Sequence, residues 1–252
     1  MTDGATIRIA ATREALAADA ATMAAAIITD AVARRGAARV MFASGNSQLA
    51  LLDRLTADPT VPWRDLTGFH MDEYVGIGPD HPASFARYMQ QRIVERTTVA
   101  AFHLIDGLAR PDAECDRYAA LVDAAPVDLC IMGIGENGHL AFNDPPVADF
   151  ADPRTVKVVT LDDACRRQQV GEGHFPDVAA VPATAITVTI PALLRAGRVM
   201  VVVPDARKAA PVAAAFDGPI TTACPASILQ TVAHAHVFLD PDSAARLRSS
   251  ST

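Results

Sequence analysis

The sequence predicts one α/β domain over residues 1–252, a Rossmann-like parallel sheet flanked by helices on both faces. Three observations carry this expectation. Short apolar runs alternate with longer amphipathic stretches along the whole chain, the rhythm of repeated βαβ units. The run Val127-Asp128-Leu129-Cys130-Ile131-Met132 is mostly apolar and stops at glycine, as a strand buried on both faces does. Half of the 252 residues are hydrophobic, enough for one sizeable core, and neither a Pro/Gly/Ser-rich linker nor a repeat divides them.

The elements follow in order. Ile7–Ala10 is a short strand, and Arg13–Arg35, rich in the strongest helix former, is a long helix. Arg39–Phe42 is a strand, followed by a loop of small residues and a helix from Gln48 to about Leu55. Strand Leu66–His70 leads through a polar loop to a helix near Ser84–Arg96, and Ala101–Ile105 with Asp112–Ala124 repeats the unit. Beyond Met132, Val156–Thr160 and Ala185–Thr189 are strands, Pro191–Arg195 is a short helix and Arg198–Val203 a strand. Helices at Arg207–Phe216 and near Ala226–Val232, strand Ala235–Leu239 and a short helix from Asp240 close the chain. Ser249–Thr252 is expected to fray.

Composition removes several classes of function. With 22 basic and 29 acidic side chains the net charge is −7, and nucleic-acid binding would need clustered Lys and Arg. Aromatic residues are only 5%, too few for base-stacking platforms. Asp19 and Asp30 interrupt the Ala-rich helix, so no membrane span is expected. Cys115, Cys130, Cys165 and Cys224 are widely and irregularly spaced, which suits a reduced protein and gives no metal-ligand pattern. Met1-Thr2-Asp3-Gly4 lacks the features of a secretory signal, and the expected location is the cytoplasm.

In open parallel sheets, ligands bind beyond the carboxyl ends of the strands. The loops after Phe42, His70, Met132 and Val203 therefore carry the candidates. Ser44-Gly45-Asn46-Ser47 joins a strand to a helix and offers small residues and hydroxyls to an anion; it reads equally as an N-capped helix start. Asp72 and Glu73 are adjacent acids just past a buried strand, where a desolvated carboxylate serves as a general base and a solvated turn is the plain alternative. Gly133 to Gly138 formally match GxGxxG, but they follow a late strand and run into Pro145-Pro146, which speaks against a dinucleotide. His139 stands between Asn137 and Asp144, which could orient and charge it. Lys208 at a helix start is unfavourable for the helix dipole unless an anion compensates. Together these features point to acid–base chemistry on a phosphorylated small molecule, with no metal and no cofactor.

Two long segments add a resemblance. Phe69-His70-Met71-Asp72-Glu73-Tyr74-Val75-Gly76, then His81-Pro82-Ala83-Ser84, resembles the MDEYVG…HPxS signature of the glucosamine-6-phosphate deaminase (isomerase) family. Gly133–Pro145 is similar to that family's G-x-G-x-D-G-H-x-A-F-N-E-P. Val181-Pro182 with Ala185–Val188 resembles a further family segment, and Lys208 falls at its phosphate-lysine position. The family shares its fold with 6-phosphogluconolactonases, which lack MDEYVG and AFN. The resemblance implies a hydrolase/isomerase converting glucosamine 6-phosphate and water to fructose 6-phosphate and ammonia. It gives Asp72 the C2 proton, His139 and Asp144 the ring opening, and Ser44–Ser47 with Lys208 the phosphate; Glu73 and Gly138 are further candidates.

The chain also departs from the family pattern. Asn137 replaces an Asp, and Asp144 replaces a Glu. Restoring Asp at position 137 is expected to keep activity or move its pH optimum upward. The stretch Cys165–Pro176 differs from the family's lid segment: Glu172 stands about where a phosphate-binding Arg is expected, with Arg166 and Arg167 as candidates to replace it. A lactonase-type hydrolase and a non-catalytic sugar-phosphate binder are the competing readings. The expected partner is a small amino-sugar phosphate, and homo-oligomerisation stays open.

Overall fold

The computed structural model describes residues 4–248, so the expected fraying of Ser249–Thr252 lies outside the described residues. Seven parallel strands form the central sheet in the order β1-β10-β9-β6-β2-β3-β5. They are β1 (Thr6–Ile9), β2 (Ala38–Phe42), β3 (Leu66–His70), β5 (Ala101–His103), β6 (Leu129–Met132), β9 (Arg198–Val203) and β10 (Ala235–Leu239). Alternate residues of one strand enter opposite core layers. Cys130 and Met132 pack with Met41, Phe69, Val199 and Val201 on one side. Leu129 and Ile131 pack with Val40, Phe42, Met200 and Val202 on the other. A strand buried on both faces reads as a continuous apolar run, which is why these strands were visible in the sequence.

Helix α1 (Arg13–Arg35) begins at Thr12, whose side chain accepts the Ala15 N–H, and ends at Gly36 with φ 76, the left-handed conformation that glycine reaches at little cost. Its length and composition would suit a membrane span. In the fold, however, its Leu16, Ala20, Ala24, Ile28 and Ala31 face is buried in the core with α2 (Leu49–Ala57) and the sheet. The remaining helices are α3 (Phe85–Arg92), α4 (Pro111–Asp123), α5 (Asp163–Gly171), α6 (Ile190–Leu194) and α7 (Ala209–Asp217).

Two expectations need correction. The segment after His70 is not a loop. It turns at Met71 and continues as β4 (Asp72–Tyr74), which pairs antiparallel with β8 (Thr184–Val188), itself antiparallel to β7 (Val156–Thr160). This three-stranded second sheet joins the first at the carboxyl end of β3, where Val188 N–H donates to the Met71 carbonyl; β4 is inconspicuous in the sequence because two of its three residues are acids, yet all three are buried. The expected last helix from Asp240 is a run of turns in which Asp240 accepts the Ser243 N–H at 2.7 Å, and Pro225–Thr231 is a 3-10 helix.

Candidate active site

β2 and β6 are neighbours, but the chain leaves β2 toward β3 and leaves β6, through the second sheet, toward β9. The loops after them diverge and open a cleft at the strand ends, the place where such sheets bind ligands. One cavity there is lined by Ser44, Gly45, Asn46 and Ser47, by Asp72, by His139 and by Lys208. All four segments singled out in the sequence thus meet around one space.

The first end of the cavity suits an anion. Gly45 has φ 122, and the chain turns into a 3-10 helix over Asn46–Gln48 before α2, with neither Asn46 nor Ser47 acting as a side-chain cap. The buried Gln48 amide donates to the Ser47 hydroxyl oxygen at 2.9 Å and to the Val202 carbonyl, which leaves the Ser47 proton free for a ligand. A Cβ on Gly133 would press on both Ser47 Oγ and Gln48 Nε2 at 3.3 Å, so this glycine makes room for the loop. Lys208 is only 6% exposed, yet its ammonium makes no hydrogen bond or ion pair with the described residues. Burial lowers its pKa, opposed by the charges of Glu172 and Glu136. A desolvated, unpaired ammonium favours an anionic ligand strongly.

The second end holds acid–base groups. The strand period sends Asp72 to the cavity and Glu73 to the opposite face. Burial above all, with the adjacent Glu73 carboxylate, pushes Asp72 up to about 8, while the Ser44 hydroxyl at 3.5 Å works against this. Glu73 is not a cavity residue: its carboxylate accepts from Ser84 Oγ, Phe85 N and Ala86 N, fixing the start of α3. His139 Nδ1 meets Asp144 Oδ1 at 2.9 Å. Burial raises the Asp144 carboxyl, but the His139 hydrogen bond and charge, with Asn137 and the Asp162 N–H, outweigh it and hold it low. Asn137 makes no hydrogen bond to the imidazole; its oxygen accepts the His139 backbone N–H at 3.0 Å and its amide donates to Asp144 at 2.9 Å.

The glycines of the GxGxxG match serve this histidine. A Cβ on Gly135 would lie 2.2 Å from His139 Nε2. Gly138 has φ 83 and lies against Cys224, outside the cavity lining. Ala141, with φ 50, is a strained non-glycine residue at the cavity wall.

Helix α5 supplies the wall that sequence reading misjudged. Arg167 is exposed, and Arg166 donates to the Val178 and Val181 carbonyls; neither lines the cavity. Gln168, Gln169, Glu172 and His174 line it instead. Cys165, Gln168, Gln169 and Glu172 fall at i, i+3, i+4 and i+7, a helical face that was available as a signal. Glu172 accepts from Gln168 Nε2 at 2.8 Å and lies 3.5 Å from His174 Nε2. Burial raises its pKa, but His174, Lys208 and Gln168 together lower it further. Folding also gathers a group that linear spacing concealed: His139, Asp144 and Cys165 present ligand-type atoms within 4.8 Å of one another. Within it, burial pushes the Cys165 thiol up, and Asp144 already accepts the imidazole and the Asn137 amide.

A buried ammonium and hydroxyl-bearing loop facing a buried carboxyl and a carboxylate-backed imidazole form the kind of site that acid–base enzymes present to small anionic molecules. The chain belongs to the family of glucosamine-6-phosphate isomerases/6-phosphogluconolactonases, whose model matches residues 11–238. A glucosamine-6-phosphate deaminase of Exiguobacterium sibiricum is 35% identical over 207 residues, covering 82% of this chain and 80% of that one. One of Pseudarthrobacter chlorophenolicus is 32% identical over 232 residues, 90% and 88% of the two chains. Among solved structures, a monomeric glucosamine-6-phosphate deaminase superimposes with a TM-score of 0.86 at 28% identity, covering 96% of this chain and 99% of that one. A 6-phosphogluconolactonase from Shewanella baltica shares the fold, with a TM-score of 0.78 at 19% identity over 95% and 99% of the chains.

Proposed function

We propose that this protein converts glucosamine 6-phosphate and water to fructose 6-phosphate and ammonia. The observation that carries the reading is the pairing, in one cavity, of the unpartnered buried Lys208 with Asp72, a carboxyl held near neutral pH. Lys208 and Ser44–Ser47 take the phosphate and so fix the sugar carbons against the reacting groups. His139, backed by Asp144, exchanges a proton with the ring oxygen, and the ring opens to the C1 aldehyde. The aldehyde acidifies C2–H. Ionised Asp72 takes that proton and returns it to C1 while a proton passes from the amine to the C1 oxygen, leaving an imine at C2 and a hydroxyl at C1, and water then replaces the nitrogen to give the ketone and ammonia. Water is consumed only in this last step, so the reaction is an isomerisation completed by deamination. A cytoplasmic setting agrees with four cysteines that all stand free.

The test is a panel of phosphorylated amino sugars assayed for ammonia and ketose phosphate, with sugar lactone hydrolysis measured alongside. Stoichiometric ammonia and fructose 6-phosphate are expected. Lactone hydrolysis without ammonia release, or saturable binding of the amino sugars without turnover, would overturn the assignment.

A further inference from the structure

We propose that Asp162 is a positioning residue that holds the Asp144–His139 pair in place through the side-chain amide of Asn137. The inference rests on the acid–base role given to His139 above. Asn137 commits both of its amide protons and its oxygen here. Its oxygen accepts the His139 N–H at 3.0 Å, and its nitrogen donates to Asp144 Oδ1 at 2.9 Å and to Asp162 Oδ2 at 3.1 Å. An amide has two protons to give, and both go to carboxylates. Asp162 also reaches Asp144 through its backbone, whose N–H donates to Oδ2 at 3.3 Å. Asp144 is therefore held on both oxygens by the same two residues, and its bond to the imidazole inherits that orientation.

The other Asp162 oxygen accepts the Cys165 N–H at 2.6 Å and caps α5. One carboxylate thus joins the proton-transfer pair to the helix that brings Gln168, Gln169 and Glu172 to the cavity wall. The arrangement also revises the expectation for position 137. An aspartate there would turn an acceptor oxygen toward the oxygens of Asp144 and Asp162 at about hydrogen-bond distance, where like charges repel. The amide at 137 and the carboxylate at 162 are a matched pair, and Asn137→Asp by itself is expected to lose activity.

The experiment uses Asp162→Ser, Asn137→Asp and the exchange Asn137→Asp/Asp162→Asn in the full chain. Serine is a good helix cap, so Asp162→Ser keeps the start of α5 and removes the acceptor for Asn137. We expect kcat on glucosamine 6-phosphate to fall about tenfold or more in each single variant, with KM changed less than about threefold. The exchange should exceed Asn137→Asp in kcat by about tenfold, because it relieves one of the two repulsive contacts. A second readout needs no turnover: the His139 Nδ1–H resonance in histidine-labelled protein should shift or broaden in Asp162→Ser. Wild-type kcat and an unmoved resonance in Asp162→Ser would make Asp162 a helix cap only and overturn the proposal. If the wild-type protein releases no ammonia at all, the functional reading fails, while the resonance still decides this one.

Discussion

Asp72→Asn is expected to remove the C2 base and, at the same time, to stabilise the fold in a pH-dependent way. Asp72 is 6% exposed, and burial with the Glu73 charge lifts its carboxyl from 3.8 to about 8. Below about pH 8 such a group is mostly protonated in the folded protein, with only a minor ionised fraction to act as base, while in the unfolded chain it ionises above about pH 4. Stability is therefore full below about pH 4 and is lost as pH rises toward 8. About three units of that window have passed by pH 7, so the upper limit of the loss is about 4 kcal/mol. Asparagine does not ionise, and its added N–H costs a buried site about 1–3 kcal/mol at every pH. The offset is constant; the slope is the measurement. In a chain of this size each kcal/mol moves Tm by about 2–4 °C. Thermal melts of both proteins at pH 4.5, 6 and 7.5 should show the variant gaining steadily on the wild type. In deuterated buffer the variant should no longer exchange the substrate C2 proton while still binding the sugar phosphate. A gap in Tm that stays flat from pH 4.5 to 7.5 would refute the high titration of Asp72, and retained exchange would refute its role as the base.

Three further outcomes follow from the same geometry. Lys208→Ala loses a charge-assisted contact of about 1.5–3 kcal/mol, so KM for glucosamine 6-phosphate should rise about tenfold to a hundredfold with kcat little changed; equal turnover of the unphosphorylated sugar by the native protein would contradict this. Asp144→Asn leaves the His139 imidazole without a carboxylate partner and should slow the cyclic substrate much more than an open-chain analogue, whereas equal slowing would remove ring opening from the role of this pair. Glu172→Gln removes a buried negative charge from the wall beside Lys208 and should lower KM severalfold at pH 7, an effect that an uncharged hexosamine ligand would not share.

What the sequence made legible follows from burial. Val127–Met132 and Arg198–Val203 are apolar on both faces because both faces are covered, and the loops at their ends stood out because polar chemistry is concentrated where the apolar runs stop. In the second sheet β7 and β8 are legible as strands but β4 is not, since it buries Asp72 and Glu73 by desolvating one and saturating the other with donors at the start of α3, which composition does not display. Arg166 and Arg167 were misjudged by helix phase: charge suggested an anion contact, but one residue's turn is about 100° and carried them off the face that Gln168, Gln169 and Glu172 share.

Asp72 begins β4 of the second sheet, Ser44–Ser47 follow β2, and His139 and Lys208 stand on the loop after β6 and the 3-10 turn after β9, while Gln168, Gln169, Glu172 and His174 come from one helix and the turn after it. That helix is tied to the cavity at several points. Asp162 accepts the Asn137 amide, Gln169 accepts the Tyr74 hydroxyl at 2.7 Å, and the Glu172 carbonyl accepts the Asn46 amide at 3.3 Å. The groups we assign to proton transfer and charge thus come from β4 and from the segments that follow β2, β6 and β9, and the groups that shape the facing wall sit on a helix joined to them by a few hydrogen bonds. Substitutions in α5 should accordingly alter KM and the choice among sugar phosphates, except at its cap Asp162, whose backbone N–H donates to Asp144 and whose carboxylate is linked to that residue through the Asn137 amide.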